Sequence, residues 1–334
     1  MSLDLNRKIV TKNAFRITKK RNFTALRIRV PGGHISAELM RCVADLSDKY
    51  GNGTIHITTR QGFEIPEIPF ERMPEVNREI SYLIQKLIID TGVEIQCPEL
   101  GYPAAGMRNI SACIGSRVCP FANTDTTLLA QKLEAVMYPD DLHFKIAVTG
   151  CPNDCIKGHL QDFGVMAICI PQYDYDQCFG CDACVKNCRR KVTGALEMHN
   201  GKVVRDERRC IGCGECVRSC PSFAWSRKEG NYYRLLIMGR TGKKNPRIAM
   251  PFINNATEDV IIKVIHNTKR YVHKHILKCL PKQHIGYIVD RTGYQVFKNE
   301  VLESVELNIE ATVAKMIQWP GYNTLNDFNL YKIT

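Results

Sequence analysis

Eight cysteines crowded between Cys178 and Cys220 constrain this chain more than any other feature. They fall in two runs, Cys178-x2-Cys181-x2-Cys184-x3-Cys188 and Cys210-x2-Cys213-x2-Cys216-x3-Cys220-Pro221. Such steps turn three thiolates toward one face of a cubane. In the two-cluster bacterial ferredoxin pattern the fourth cysteine of each run crosses to the other cluster. The spacing therefore predicts one 4Fe–4S cluster on Cys178, Cys181, Cys184 and Cys220, and another on Cys188, Cys210, Cys213 and Cys216. A pair of zinc sites is the alternative, and the doubled register of eight cysteines argues against it. The first run departs from the pattern: Arg189, Arg190 and Lys191 follow it in place of proline. Three cations beside a cluster favour its reduced state.

The chain has 16 cysteines in 334 residues. Its basic N-terminus, MSLDLNRKIVTKNAFRITKKRNF, lacks the apolar stretch of a secretory signal, so a reducing cytoplasm and metal ligation are expected rather than disulfides. No run of about 18 apolar residues occurs, and no membrane span is expected. The formal charge of +12 would suit nucleic acid, but no helix-turn-helix, RNA-recognition or zinc-finger spacing accompanies it. Between Cys178 and Pro221 there are nine Lys and Arg against five Asp and Glu. Two oxidised clusters, each carrying about −2 with its thiolates, would offset that excess.

The rest of the chain reads as α+β. TALRIRV (24–30) suits a strand ended by Pro-Gly-Gly, Ser36 starts a helix running to Tyr50, and TIHITT and FEIPEI flank Arg60-Gln61-Gly62 as a strand pair. One amphipathic helix is expected over 74–90, another at 124–136, strands at 144–149 and 164–170, a strand at YYRLLIM, and helices near 257–277 and 291–303. These segments predict an N-terminal α+β half-domain over 1–92. A second domain is built from 93–171 and 227–334, with the cysteine-dense stretch 172–226 inserted and packed against its host.

Two further pairs, Cys113-x5-Cys119 in GMRNISACIGSRVCPFA and Cys151-x3-Cys155 in KIAVTGCPNDCIKGH, lie outside the insert. By spacing alone a third 4Fe–4S cluster and a structural zinc fit equally. Here the chain resembles the sirohaem-dependent sulfite and nitrite reductases. LRIRVPGGHIS, ITTRQGFEIP, GMRNISAC, KIAVTGCPNDC and GRTGKKNPRIA look like family segments in the family's order. The resemblance implies a reductase half-repeat, a 4Fe–4S cluster on Cys113, Cys119, Cys151 and Cys155, and Cys155 bridging to the sirohaem iron. It also implies a basic substrate wall of Arg29, Arg60, Arg108 and Lys145, and a grip on sirohaem carboxylates by Arg240, Lys243, Lys244 and Arg247. An inserted ferredoxin segment without flavin or nucleotide domains looks most like the anaerobic sulfite reductases.

Each basic residue has a plainer reading. Arg29 on a strand suits a solvated face, Arg60 and Arg108 suit turns, and GRTGKKN, which is not a phosphate-binding Walker loop, suits a solvated loop. The family often carries two lysines one residue apart where this chain has His143 and Lys145. His143 is then a substitute proton donor or a surface histidine. Cys42, Cys97, Cys169 and Cys279 have no partner spacing and read as buried packing residues. HNTKRYVHKH reads as an exposed helix face.

The reading that results is a catalytic subunit reducing sulfite to sulfide, with sirohaem and three 4Fe–4S clusters. A sirohaem nitrite reductase and a cluster-only electron carrier are its rivals. No nicotinamide or flavin signature appears, so electrons must arrive from a flavin- or NADH-linked subunit and an iron–sulfur subunit, with Arg189–Lys191 as a docking face. Room for only one reductase repeat implies a dimer, with itself or with a related subunit.

Overall fold

The computed structural model describes residues 14–92, 107–138, 140, 142–242, 246–279 and 283–317. Its N-terminal part is a four-stranded antiparallel sheet of β1 (Phe15–Ile17), β2 (Phe23–Ile28), β3 (His56–Ile57) and β4 (Phe63–Pro69), in the order β1-β2-β4-β3. Helix α1 (Ala37–Tyr50) covers it. Ser36 caps that helix by accepting the Leu39 amide at 3.2 Å. Leu39, Val43, Leu46 and Tyr50, spaced by three and four, are its buried stripe and meet Leu26, Ile28, Ile65 and Ile68 of the sheet.

The helix expected over 74–90 is two helices, α2 (Met73–Glu79) and α3 (Ser81–Thr91). Hydrogen bonds run through the junction, Ile80 N to Val76 O and Ile84 N to Ile80 O, both 2.9 Å. A ψ of −7° at Ile80 bends the axis there and lets Ile80, Leu83 and Ile84 all enter the core.

The larger part is a six-stranded sheet. Its strands are β5 (Ser111–Ala112), β6 (Ile146–Thr149), β7 (Phe163–Ile168), β12 (Tyr232–Ile237), β13 (Met250–Ala256) and β14 (Thr312–Val313), in the order β14-β13-β12-β7-β6-β5. β5, β6 and β7 are parallel and the remaining pairs antiparallel. Every residue of β6 and β7 is buried, the run of apolar side chains expected of central strands. Helices α4 (Thr126–Met137), α7 (Glu258–His275), α8 (Ile285–Thr292) and α9 (Tyr294–Val301) pack with the sheet in one core.

β7 and β12 are neighbours in the sheet, and between them the chain leaves and returns through the antiparallel pair β8 (Pro171–Tyr173) and β11 (Trp225–Arg227). Beyond that pair stand the hairpin of β9 (Leu196–His199) and β10 (Lys202–Arg205) and two short helices, α5 (Ala183–Lys191) and α6 (Glu215–Ser219). The two cysteine runs repeat in backbone conformation: Gly180 and Asp182 in one, Gly212 and Gly214 in the other, all have φ between 64° and 77°. The second run touches the host through the Cys169 amide, which donates to Gly212 O at 2.8 Å. A side chain at Gly212 would meet Cys169 O at 2.9 Å. Among the described residues no helix is long and apolar enough to cross a membrane.

One buried ion pair joins the two parts: Arg29 Nε donates to Glu134 Oε1 at 2.8 Å, with the side chains 2% and 0% exposed. Glu134→Ala leaves that guanidinium buried without its counter-charge and is expected to cost about 3–5 kcal/mol in urea unfolding. A loss under about 1 kcal/mol would show the pair to be dispensable.

Candidate active site

The turn Thr58–Gly62, the end of β2 and the residues leading into β5 and β6 enclose a pocket of about 220 Å³. Arg29, Arg60, Arg108 and Lys145 all line it, so the four cations expected to form a substrate wall do meet. They are not equivalent. Arg29 is no solvated strand residue; besides Glu134 it reaches Met107 O at 2.6 Å. Arg60 is anchored to Asn109 O at 2.8 Å, Gln161 Oε1 at 2.7 Å and the Ile146 carbonyl, and burial brings it down to about 10. Arg108 and Lys145 have no ion-pair partner among the described residues. Burial lowers both, and neighbouring arginines add to the effect.

Two residues beside this wall carried no sequence signal. Asp162, 1% exposed, accepts the Lys145 amide at 3.1 Å and His284 Nδ1 at 3.0 Å. It opposes the lowering of both Arg60 and Lys145. His284 in turn meets His143 edge-on, ring centroids 4.7 Å apart. His143 thus stands against another ring near Lys145.

At the opposite ends of the same parallel strands lie the paired cysteines. Cys113 and Cys119 follow β5, and Cys151 and Cys155 follow β6. The Gly150 amide donates to Cys113 Sγ at 3.1 Å and the Asn123 amide to Gly150 O at 2.6 Å, tying one loop to the other. Asp154 braces the second loop by accepting the Gly158 amide at 2.7 Å and pairing with His159 Nδ1 at 2.6 Å. Burial pushes the Cys151 thiol up, the Asn153 amide opposes it, and Cys113, Cys119 and Cys155 raise it further. Four thiols thus act on one another at one place, with Cys155 exposed and Cys151 buried. Among the described residues no three Cys, His, Asp or Glu side chains could hold a single metal ion. A cubane spreads its thiolates wider than one zinc does.

In the insert, Cys184 acts on Cys220, while Cys213 acts on Cys210 and Cys188. Cys184, Cys188 and the partly buried Cys178, Cys210, Cys216 and Cys220 share one apolar cluster, and Cys181 is exposed. The second group is the one nearer the host: Cys213 and Cys151 line a common pocket, where Arg218 lies 5.0 Å over the ring of Phe121. Of the cysteines read as buried packing, Cys169 is buried, with its thiol raised to about 11 by burial and by Cys210 and Cys213. Cys42 is half-buried and Cys279 is exposed, which corrects the reading for both. Cys97 lies outside the described residues.

Arg240 and Arg247 pair through their backbones at 2.9 and 3.0 Å, and both side chains are turned inward onto Asp290. Arg240 also lies 4.0 Å over the ring of Tyr287. Gly286 makes room for them, since a Cβ there would collide with Arg247 Nη2. Asp290 thus holds the two guanidiniums side by side. Lys243 and Lys244 lie outside the described residues. The histidine-rich helix α7 presents His266 and His273 to solvent, as expected.

The pattern of the nitrite and sulphite reductase 4Fe-4S domain matches residues 104–309, and that of the nitrite/sulfite reductase ferredoxin-like half domain matches 16–81. The chain belongs to this family. It is 42% identical to a subunit of the anaerobic sulfite reductase of Salmonella typhimurium, over 96% of this chain and 95% of that protein. It is 28% identical to the coenzyme F420-dependent sulfite reductase of Methanocaldococcus jannaschii, over 85% of this chain and 43% of that one. Dissimilatory sulfite reductase I shares the fold at a TM-score of 0.64 and 18% identity, covering 93% of this chain and 78% of its own.

For this reductase homologue the depressed Lys145 gives a pH signature. A lysine held below its usual 10.5 loses its charge earlier as pH rises, so oxyanion binding should weaken on the alkaline side. Sulfate, whose charge is constant over that range, is the probe. Lys145→Arg should keep binding it to higher pH in titration calorimetry, and identical alkaline limbs in both proteins would remove Lys145 from the anion site.

Proposed function

We propose that this chain is the catalytic subunit of a sulfite reductase, reducing sulfite to sulfide at a sirohaem coupled to a 4Fe–4S cluster and fed by two ferredoxin-type clusters. The observation that carries the reading is the gathering of Arg29, Arg60, Arg108 and Lys145 at one pocket, on a scaffold that gathers Cys113, Cys119, Cys151 and Cys155 at another place. In this reading residues 1–92 form the half-domain, 93–171 with 227–334 hold the sirohaem and its cluster, and 172–226 is the inserted ferredoxin domain.

Sulfite takes up six electrons and six protons and leaves as sulfide and three waters. Arg108 and Lys145, the wall's cations without ion-pair partners among the described residues, hold the anion. Lys145, its ammonium made more acidic by burial, delivers protons. Arg60 is fixed by its three bonds and shapes the wall, and Arg29 with Glu134 supports it from behind. Sirohaem, when bound, would supply an iron for the sulfur and a path for the electrons. Cys155, the exposed thiol of its four, would be the residue that holds both groups, and Arg240 and Arg247 would hold the sirohaem carboxylates.

The common pocket of Cys213 and Cys151 makes the group of Cys188, Cys210, Cys213 and Cys216 the inner step of electron delivery. The group of Cys178, Cys181, Cys184 and Cys220 is then the outer one. Electrons reach it from a partner bearing flavin and iron–sulfur centres, and the exposed Arg189, Arg190 and Lys191 suit an acidic face on that partner. Lys145 and Cys151 stand at opposite ends of β6, up to about 20 Å apart at strand rise. In this reading the cations and cysteines of one chain serve different sites. A two-fold dimer, or pairing with a related subunit, completes each site from two chains.

Protein purified without oxygen should contain about twelve cluster irons and one haem iron, from three groups of four cysteines. Cys155→Ser should abolish sulfite reduction and keep the two ferredoxin-type clusters, whereas Cys188→Ser should damage one of those and keep the haem band. Zinc in a fully loaded preparation, or full activity in Cys155→Ser, would contradict the reading.

A further inference from the structure

His284 stands at the start of helix α8, where a short polar side chain would ordinarily cap the first turn. Its side chain makes no such bond. The ring turns to another element instead, with Nδ1 3.0 Å from each carboxylate oxygen of Asp162. A carboxylate accepts, so Nδ1 is the donating nitrogen. The bond to Asp162 is therefore what this histidine contributes.

Asp162 is 1% exposed, and a carboxylate is kept in such a place only when its bonds are satisfied. Its other bond falls on Lys145. Asp162 Oδ2 accepts the Lys145 amide at 3.1 Å, and the amide of the next residue, Phe163, donates to Lys145 O at 3.1 Å. The residue before, Gln161, accepts Arg60 Nη1 at 2.7 Å. Three consecutive residues thus hold the main chain of one wall cation and the side chain of another.

This segment is clamped from behind as well. The Met238 amide donates to Asp162 O at 2.7 Å, and Arg247 Nε donates to Met238 O at 3.0 Å. Arg247 Nη1 then reaches Asp290 Oδ1 at 2.8 Å, on the helix that His284 begins. The links close a ring through Asp162, Met238, Arg247, Asp290 and His284. Its one link to the carboxylate that holds Lys145 is His284.

We propose that His284 is a positioning residue for the anion wall: through Asp162 it fixes where Lys145 stands. The inference rests on the reading of Lys145 as a cation that holds sulfite. A lysine has a long, rotatable stem, and a fixed root lowers the entropy lost when its ammonium meets an anion. His284 itself is not among the residues lining the pocket.

His284→Phe keeps a ring against His143 and removes the donor. His284→Ser caps α8 but is too short to reach Asp162, so it removes the bond while supporting the fold. In protein purified without oxygen, each variant should weaken sulfate binding several-fold in titration calorimetry near neutral pH. His284→Ser should do so with the urea midpoint of the wild type. In a Lys145→Ala background the same substitutions should weaken sulfate binding much less, because the residue they position is gone. Unchanged sulfate binding in His284→Ser, or an equal loss with and without Lys145, would make His284 a packing residue and overturn the inference alone. Sulfate binding untouched by Lys145→Ala would overturn the wall as an anion site, and the inference with it.

Discussion

Parallel strands cannot be joined by a tight turn; the chain must cross back over the sheet before the next strand begins. β5, β6 and β7 are parallel, so both of their connections leave from the same end of the sheet. In this chain those crossovers carry Cys113 and Cys119 before α4, and Cys151 and Cys155 in a loop braced by Asp154. The crossover rule thus brings two distant cysteine pairs to one place. It also leaves Arg108 and Lys145, which precede the same strands, at the other end. That separation motivates the proposed second chain at each site.

Electrostatics then divides the labour among residues of one type. Arg29 and Glu134 neutralise each other out of solvent, and Arg60 spends its donors on carbonyls, so neither is free to follow a ligand. Arg108 and Lys145 keep their charges available at the cost of partial burial, which is why both are lowered. At Arg240 and Arg247, Asp290 pairs with both guanidiniums and fixes them side by side.

The repeat of the two cysteine runs was legible in the sequence because spacing is local, and their backbones repeat the same conformation. The central strands were legible from their apolar runs, with ends displaced by a residue or two. What failed depended on distance. Nothing near Ile80 breaks helical propensity; the bend appears because the core draws Ile80, Leu83 and Ile84 inward. That Arg29 is held in a buried ion pair was not legible, because its partner Glu134 is 105 positions away. Asp162 and His284 meet across 122 residues, and neither belongs to a motif. Tyr173 and Trp225 likewise carry no signal until strand pairing sets them face to face.

The division of each site between two chains is tested most directly by mixing two inactive variants, Cys155→Ser and Lys145→Ala, under conditions where subunit exchange is separately demonstrated. One lacks the shared thiolate and the other the cation, so a mixed dimer holds one site with both intact. Sulfite reduction should return, up to about half of one site per dimer at equal mixing. Mixtures that exchange subunits and stay inactive would show that each chain builds its own site, contrary to this account.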